Sequence, residues 1–295
     1  MSNKKVYTLL NGGLGNQLHQ YAFGLFFSSK VNGNLSLDVS YYSLDAKKLR
    51  ITPRVYMLHQ FGIMNHEKTF LSNQYLLSLV KNFKILDYII KRGFKIQFLF
   101  KADSLIDFSC RKYVLVYLFG NLNNHESIID LLINKIKFPD SALKKAVGII
   151  MSQKKQLGEE FVIVHIRRSD YLLPESIHHV LDKSYYYNAI DIIRQKVTNP
   201  IFYFIGDDLN WIKQNFDFSL NTRFVLIDQK LDDPISDFIL IANSDHVISS
   251  NSTFCWWGSF LNKNSNKIVL APTKWLKSES KNIKDQYPDS WLLVD

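Results

Sequence analysis

The chain of 295 residues is 46% hydrophobic and 21% charged, the composition of a globular protein with one large or two medium domains, which excludes a disordered chain. The formal net charge of +9 is uneven: residues 1–150 carry 20 Lys and Arg against 9 Asp and Glu, while residues 151–295 carry 16 against 18. A basic first half suits an anionic partner, whether nucleic acid, membrane surface or phosphate, or it reflects a genome that uses lysine freely.

In chain order, residues 6–10 (Val-Tyr-Thr-Leu-Leu) read as a short β-prone strand. Asn11-Gly12-Gly13-Leu14-Gly15-Asn16 follows as a glycine-rich turn. From residue 17 to 30, Leu18, Tyr21, Ala22, Leu25 and Phe26 recur at helical spacing. Residues 35–39 alternate as a second strand, so the chain opens as a parallel α/β domain. Residues 66–118 change character and are rich in Leu, Ile, Phe, Tyr and Lys. Between Lys81 and Lys101 basic residues crowd around the single acid Asp87, with Phe83, Tyr88, Phe94, Phe98 and Phe100 interleaved. That segment reads either as a solvated helical face or as a surface resting on an anionic membrane. Residues 128–137 and 141–156 read as helices, with Pro139-Asp140 placed to cap the second.

The second half alternates more cleanly. Residues 161–164 are a continuous apolar strand, as in a sheet covered on both faces. A helix over 184–197 capped by Ser184, a strand at 201–205, a short helix at 208–215 and a strand at 224–227 follow. A helix at 235–242, a strand at 245–248, a helix at 253–261 and a last strand at 267–270 complete a doubly wound, Rossmann-like domain. The change of pattern puts the boundary near residue 150, giving domains 1–150 and 151–295.

Two cysteines, Cys110 and Cys255, are too few for a disulfide framework or a four-thiolate zinc site, and both are expected reduced and packed. The N-terminus lacks the apolar core of a signal peptide, and no run of about 18 apolar residues occurs, so a cytoplasmic protein is expected.

Four constellations carry chemistry. The turn over Gly12, Gly13 and Gly15 between a strand and a helix lets backbone N–H groups approach an anion, or is an ordinary tight turn. It is neither a dinucleotide fingerprint nor a Walker loop. His165-Ile166-Arg167-Arg168-Ser169-Asp170 leaves a buried strand, where two guanidinium groups can clamp a phosphate. Strand alternation puts His165 and Arg167 on one face and Arg168 on the other, so one arginine is expected on a ligand and the other on a structural carboxylate. Asp207 and Asp208 end another strand, where they can accept from ligand hydroxyls, bind a cation or cap the next helix. Ser249 to Gly258 opens a helix with small hydroxyl residues: Ser252 and Thr253 can donate to phosphate, while Trp256, Trp257 and Cys255 read as packed core.

Taken together, Gly-Gly-Leu-Gly-Asn-Gln (residues 12–17) with Gln20-Tyr21-Ala22, His165 to Asp170, Asp207-Asp208 with Trp211, and Asn251 to Gly258 resemble glycosyltransferase family 11, the α-1,2-fucosyltransferases. The resemblance spans nearly the whole chain and is weakest over residues 66–118. It implies a GT-B-like fold, two Rossmann-like domains facing across a cleft, with GDP-β-L-fucose on the C-terminal domain and the acceptor surface on the N-terminal one. It implies inverting transfer of fucose to the 2-hydroxyl of a galactose-terminated or lipid-linked glycan without a metal or other cofactor. Donor contacts would come from Gly13, Gly15, His165, Arg167, Arg168, Asp207, Asp208, Ser252, Thr253 and Phe254, with Arg167 stabilising the leaving diphosphate. Asp170 and Glu175 are the candidate bases; alternatively fucose or phosphate takes the proton while Asn16 orients the acceptor. Cys255 stands where the family usually has Ser, and Gly206 where it often has Ser. A different linkage, such as α-1,3, stays open, and a peripheral place on the inner face of the cytoplasmic membrane is expected if the basic segment binds lipid. A nucleic-acid-binding module, the remaining alternative, would leave Arg167, Arg168 and the Asp pair unexplained.

Overall fold

A computed structural model describes residues 4–43, 53–64, 66–67, 96–99, 115–118, 132, 135–153, 158–218, 223–227, 234–278 and 286–295. They fall into two compact units, Met1–Lys137 and Phe138–Asp295, each with its own all-parallel sheet. Cys110 and most of the basic segment 81–101 lie outside the described residues.

The first sheet runs in the order β3-β2-β1-β5-β4, from β1 (Lys4–Leu9), β2 (Gly33–Asp38), β3 (His66–Glu67), β4 (Ile96–Leu99) and β5 (Leu115–Leu118). The helix Leu14–Val31 joins β1 to β2 and buries Leu14, Leu18, Tyr21, Ala22, Phe23 and Phe27. It starts inside the expected turn because Gly13 is its extended N-cap: Gln17 N donates to Gly13 O at 3.0 Å, which closes the first helical turn there.

The second sheet runs β11-β10-β9-β6-β7-β8, from β6 (Glu160–Ile166), β7 (Pro200–Gly206), β8 (Phe224–Leu226), β9 (His246–Ile248), β10 (Val269–Pro272) and β11 (Leu292–Val294). Helices cover both faces, which explains the unbroken apolar run in β6. Val162, Val164 and Ile166 pack with Tyr185, Tyr186, Ala189, Ile190 and Ile193 of the helix Lys183–Lys196. On the other face Phe138 meets Phe238 of the helix Pro234–Ala242, Phe238 meets Phe254 of the helix Thr253–Leu261, and Phe254 stacks on His165. Trp256, Trp257 and Cys255 are buried, as expected.

Two local expectations are corrected. The helix after residue 182 is capped by Asp182, whose carboxylate accepts from Ser184 N at 2.9 Å and Tyr185 N at 3.4 Å; the Ser184 hydroxyl donates to that same carboxylate at 2.6 Å rather than capping the helix itself. A sixth strand, β11, follows the one expected to be last; it is three residues long and sits at the sheet edge, too short for an alternation signal. Among the described residues no helix is long and apolar enough to cross a membrane.

Candidate active site

Ligands of parallel sheets lie outside the carboxyl ends of the strands, where strand order changes direction. In the second unit the chain runs from β6 through β7 to β8 on one side and from β9 through β10 to β11 on the other, so the change falls between β6 and β9. Val164 pairs with Ile248, which sets the residues after β6 beside those after β9. Ile166 pairs with Gly206, which brings Asp207 and Asp208 to the same edge.

The alternation of β6 persists beyond its end. Arg168 turns to the face of Val164 and Ile166: its Nε lies 3.4 Å from Asp208 Oδ2, its Nη1 donates to Leu181 O at 3.0 Å, and its guanidinium sits 4.2 Å from the Trp211 ring centre. Arg167 turns the other way, with Nη2 2.5 Å from Asp170 Oδ1 and Nη1 2.6 Å from Asp207 Oδ2. The sequence reading gave a carboxylate to one arginine only. Both hold carboxylates, and Arg167 holds two, because the guanidinium fork carries five N–H donors and one carboxylate cannot use them all. Arg167 is the more open of the pair, its side chain 22% exposed against 12% for Arg168.

The Asp pair knots the strand ends together. Asp207 Oδ1 accepts from Arg168 N at 2.8 Å and Ser169 N at 3.4 Å. Asp208 Oδ1 accepts from Trp211 N at 3.0 Å and so caps the helix Leu209–Asn215, one of the three roles open to it in the sequence. Gly206 is required here: a Cβ on it would lie 2.3 Å from Ile166 O.

After β9, residues 249–252 are buried, and their polar groups are held from several elements. Tyr185 Oη donates to Ser249 O at 2.5 Å, His165 Nδ1 lies 2.7 Å from Ser250 Oγ, and Tyr171 Oη donates to Asn251 O at 2.9 Å. Asn251 Nδ2 donates to His179 O and Trp275 O, both at 2.8 Å. The helix Thr253–Leu261 therefore starts at a fixed point, with Ser252 as an N-cap whose side chain makes no cap bond. Its positive end lies at the carboxyl edge of the sheet, linked to Arg167 through Tyr171, whose ring centre is 5.6 Å from the Arg167 guanidinium and whose Oη donates to Asn251 O. Burial, and then Arg167, lower the His165 pKa to about 3, so this ring is neutral and serves to position Ser250 and Phe254. Burial pushes the Cys255 thiol up to about 11, so it is no thiolate nucleophile at neutral pH.

In the first unit, Gly12 has φ +73°, and a Cβ on it would lie 2.6 Å from Asn16 Nδ2. Among the described residues, and leaving aside Gly13 and its two chain neighbours, no heavy atom lies within 4 Å of the point where a Cβ on Gly13 would stand. Gly15 is buried in the first helical turn and Asn16 is half-buried. Gln20 exchanges two hydrogen bonds with Asn11, Nε2 to Oδ1 and backbone N to Oε1, each 2.9 Å.

His165, Arg167, Arg168, Asp170, Asp207, Asp208, Ser252, Thr253 and Phe254 thus share one edge of the second sheet. Glu175 is exposed on the following loop, and Gly13, Gly15 and Asn16 belong to the first unit. Sequence reading missed the positioning roles of Gln17, Tyr171, Tyr185 and Asn251. A polar residue at a helical core position, as Gln17 is, was the available signal.

The family model described as Glycosyl transferase family 11 matches residues 2–295. An Alpha-1,2-colitosyltransferase of Escherichia coli is 27% identical, with 98% of this chain and 99% of that protein covered. Galactoside alpha-(1,2)-fucosyltransferase 1 of Bos taurus is 33% identical over 104 residues, 34% of this chain and 29% of that protein. The structure of POFUT1 in complex with GDP superposes with a TM-score of 0.56 at 11% identity, covering 92% of this chain and 99% of that one, a likeness of fold alone.

Proposed function

The chain belongs to glycosyl transferase family 11, and from that premise we propose that it moves L-fucose from GDP-β-L-fucose to the 2-hydroxyl of a galactose residue in an oligosaccharide or lipid-linked glycan, with inversion and without a metal ion. The names of relatives, the galactoside α-1,2-fucosyltransferase among them, support the sugar and the linkage. The observation that carries the reading is Arg167, a part-exposed guanidinium at the change of strand order, in ring contact with the Tyr171 that holds the residues leading into the helix Thr253–Leu261.

In this mechanism the bond from fucose C1 to the phosphate oxygen breaks, and the negative charge that grows on the β-phosphate is met by Arg167 and by the first N–H groups of the helix Thr253–Leu261. Arg168 holds the frame, through Asp208, Leu181 and Trp211. An entering diphosphate competes with Asp170 for the Arg167 guanidinium. In that exchange Asp170 is the carboxylate assigned as general base. It takes the proton of the galactose 2-hydroxyl as that oxygen bonds to C1 on the face opposite the phosphate. Glu175 is the alternative base; in a third route the phosphate takes the proton and Asn16 orients the acceptor.

A second reading changes only the sugar. The colitosyltransferase relative favours colitose, which is fucose without its 3-hydroxyl, and a competition between the two nucleotide sugars separates the readings. The main test is incubation with GDP-fucose, a β-galactoside and EDTA. GDP release, and product fucosylated at galactose O2 by linkage analysis, are expected with EDTA present. No GDP and no product across lacto-, neolacto- and O-antigen-type acceptors overturns the proposal, and loss of turnover with EDTA overturns its metal-independent form.

A further inference from the structure

Four rings of the first unit form a row that reaches the glycine turn through Tyr42. Tyr41 and Tyr42 come from the 3-10 turn Ser40–Ser43 after β2, Tyr56 from the loop before the 3-10 turn Leu58–Phe61, and His59 from that turn. They touch in a row: Tyr41 stands edge-on to Tyr42 with ring centres 5.3 Å apart, Tyr42 lies 6.1 Å from Tyr56, and Tyr56 lies 5.3 Å from His59.

The row is anchored to the turn. Tyr42 Oη donates to Gly12 O at 3.2 Å, and Tyr56 Oη donates to Ile63 O at 3.1 Å. Buried Gln17 donates to Gly12 O at 3.2 Å and to Val55 O at 2.8 Å, and accepts from Met57 N at 2.9 Å. The two turns and the loop are therefore one rigid piece. Yet its rings are not core. The three tyrosines are only half-buried, and His59 and Val55 are exposed. Beside them lies half-buried Gly13, over which none of the described residues beyond its chain neighbours comes within 4 Å of a Cβ position.

A fixed, part-exposed row of phenol rings suits a ligand with one apolar face and a rim of hydroxyls. A pyranose is such a ligand. Galactose is the best case, because its axial 4-hydroxyl leaves the face formed by C3, C4 and C5 free of oxygen. Burial pushes the Tyr56 phenol up to about 12, so it stays neutral, as stacking on a neutral sugar requires.

We propose that this row is the platform on which the galactose end of the acceptor stacks, with Tyr41 presenting its ring and the space over Gly13 admitting the sugar's hydroxyl edge. The identity of the sugar rests on the galactoside-transfer reading above; the platform itself rests on the first unit alone. Tyr41 is the residue to change, because Tyr42 and Tyr56 also hold the backbone. Tyr41→Ala is expected to raise the acceptor KM about tenfold, the loss of one ring stack, and Tyr41→Phe to stay near the unaltered value. The dissociation constant for GDP, read by calorimetry, should not move with either change, which separates a lost platform from a misfolded chain. An acceptor KM for Tyr41→Ala within about twofold of the unaltered value overturns the proposal. If the unaltered chain transfers no sugar, the functional reading fails by itself. The platform is then read by saturation-transfer NMR with a β-galactoside: signal lost in Tyr41→Ala supports it, and no signal from the unaltered chain overturns it.

Discussion

At the scale of single residues, the site is decided by competition for one guanidinium. Arg167 holds Asp170 and Asp207 at 2.5 and 2.6 Å, and a diphosphate must share or replace one of them. Asp207 is also bound to the backbone of Arg168, and Asp170 is the acid proposed to give way to the diphosphate. Asp170→Asn keeps the shape and removes the charge. It is expected to lower kcat by about 100-fold or more, the usual weight of a general base, while the affinity for GDP is kept or improved. An unchanged kcat would move the role to Glu175, for which Glu175→Gln is the next variant. The residue types were legible in the sequence, since Arg-Arg at a strand end beside acids has few uses. Which acid holds which arginine was not, because Asp207 is 40 positions from Arg167 and comes near only through the β6–β7 pairing.

At the scale of elements, the strand ends are locked by close approach. Gly206 lies against the β6 backbone so tightly that a methyl group would meet Ile166 O at 2.3 Å. Gly206→Ala should therefore push β7 off β6, cost about 1–3 kcal/mol and lower Tm by several degrees, as read by calorimetry. A Tm held within about a degree would show that the strand ends can separate freely. The family's frequent Ser at this position, noted in the sequence, would need the strand ends further apart than they are here. Helix and strand order were readable from period, because each element buries a face that its own residues encode. The cap at Asp182 and the edge strand β11 were not, since one depends on where the helix begins by a residue or two and the other on three residues.

At the scale of the whole molecule, stability is tied to pH through a buried ring. His165 has a folded pKa of about 3, below the value near 6.5 of an unfolded chain. Below pH 6.5 the unfolded chain takes up a proton that the folded chain refuses. Stability therefore falls as pH drops from about 6.5 toward 3, by about 1.4 kcal/mol per unit from this group. Urea midpoints between pH 7 and 4.5 should show the fall, and His165→Gln should remove its share of the slope; an unchanged slope would show that His165 protonates in the folded chain. The charge asymmetry takes on a different meaning at this scale. The basic excess lies in the first half, yet the arginines that best suit a diphosphate belong to the near-neutral second half. Net charge sums over a surface, whereas phosphate recognition needs donors fixed in a small volume.

The sequence by itself determined the α/β class, the order of strands and main helices in the second half as far as β10, the buried Trp256 and Trp257, and the places where chemistry could sit. These follow from local period and from residue types whose chemistry is narrow. Only the tertiary structure decided that β6 lies between β9 and β7, and with it every contact that makes a site of those places. Among these contacts are His165 on Ser250, Tyr171 on Asn251, Tyr185 on Ser249 and Arg167 between two acids. They join residues up to 85 positions apart. Strand order is a property of the whole sheet's packing, and no short stretch of residues encodes it.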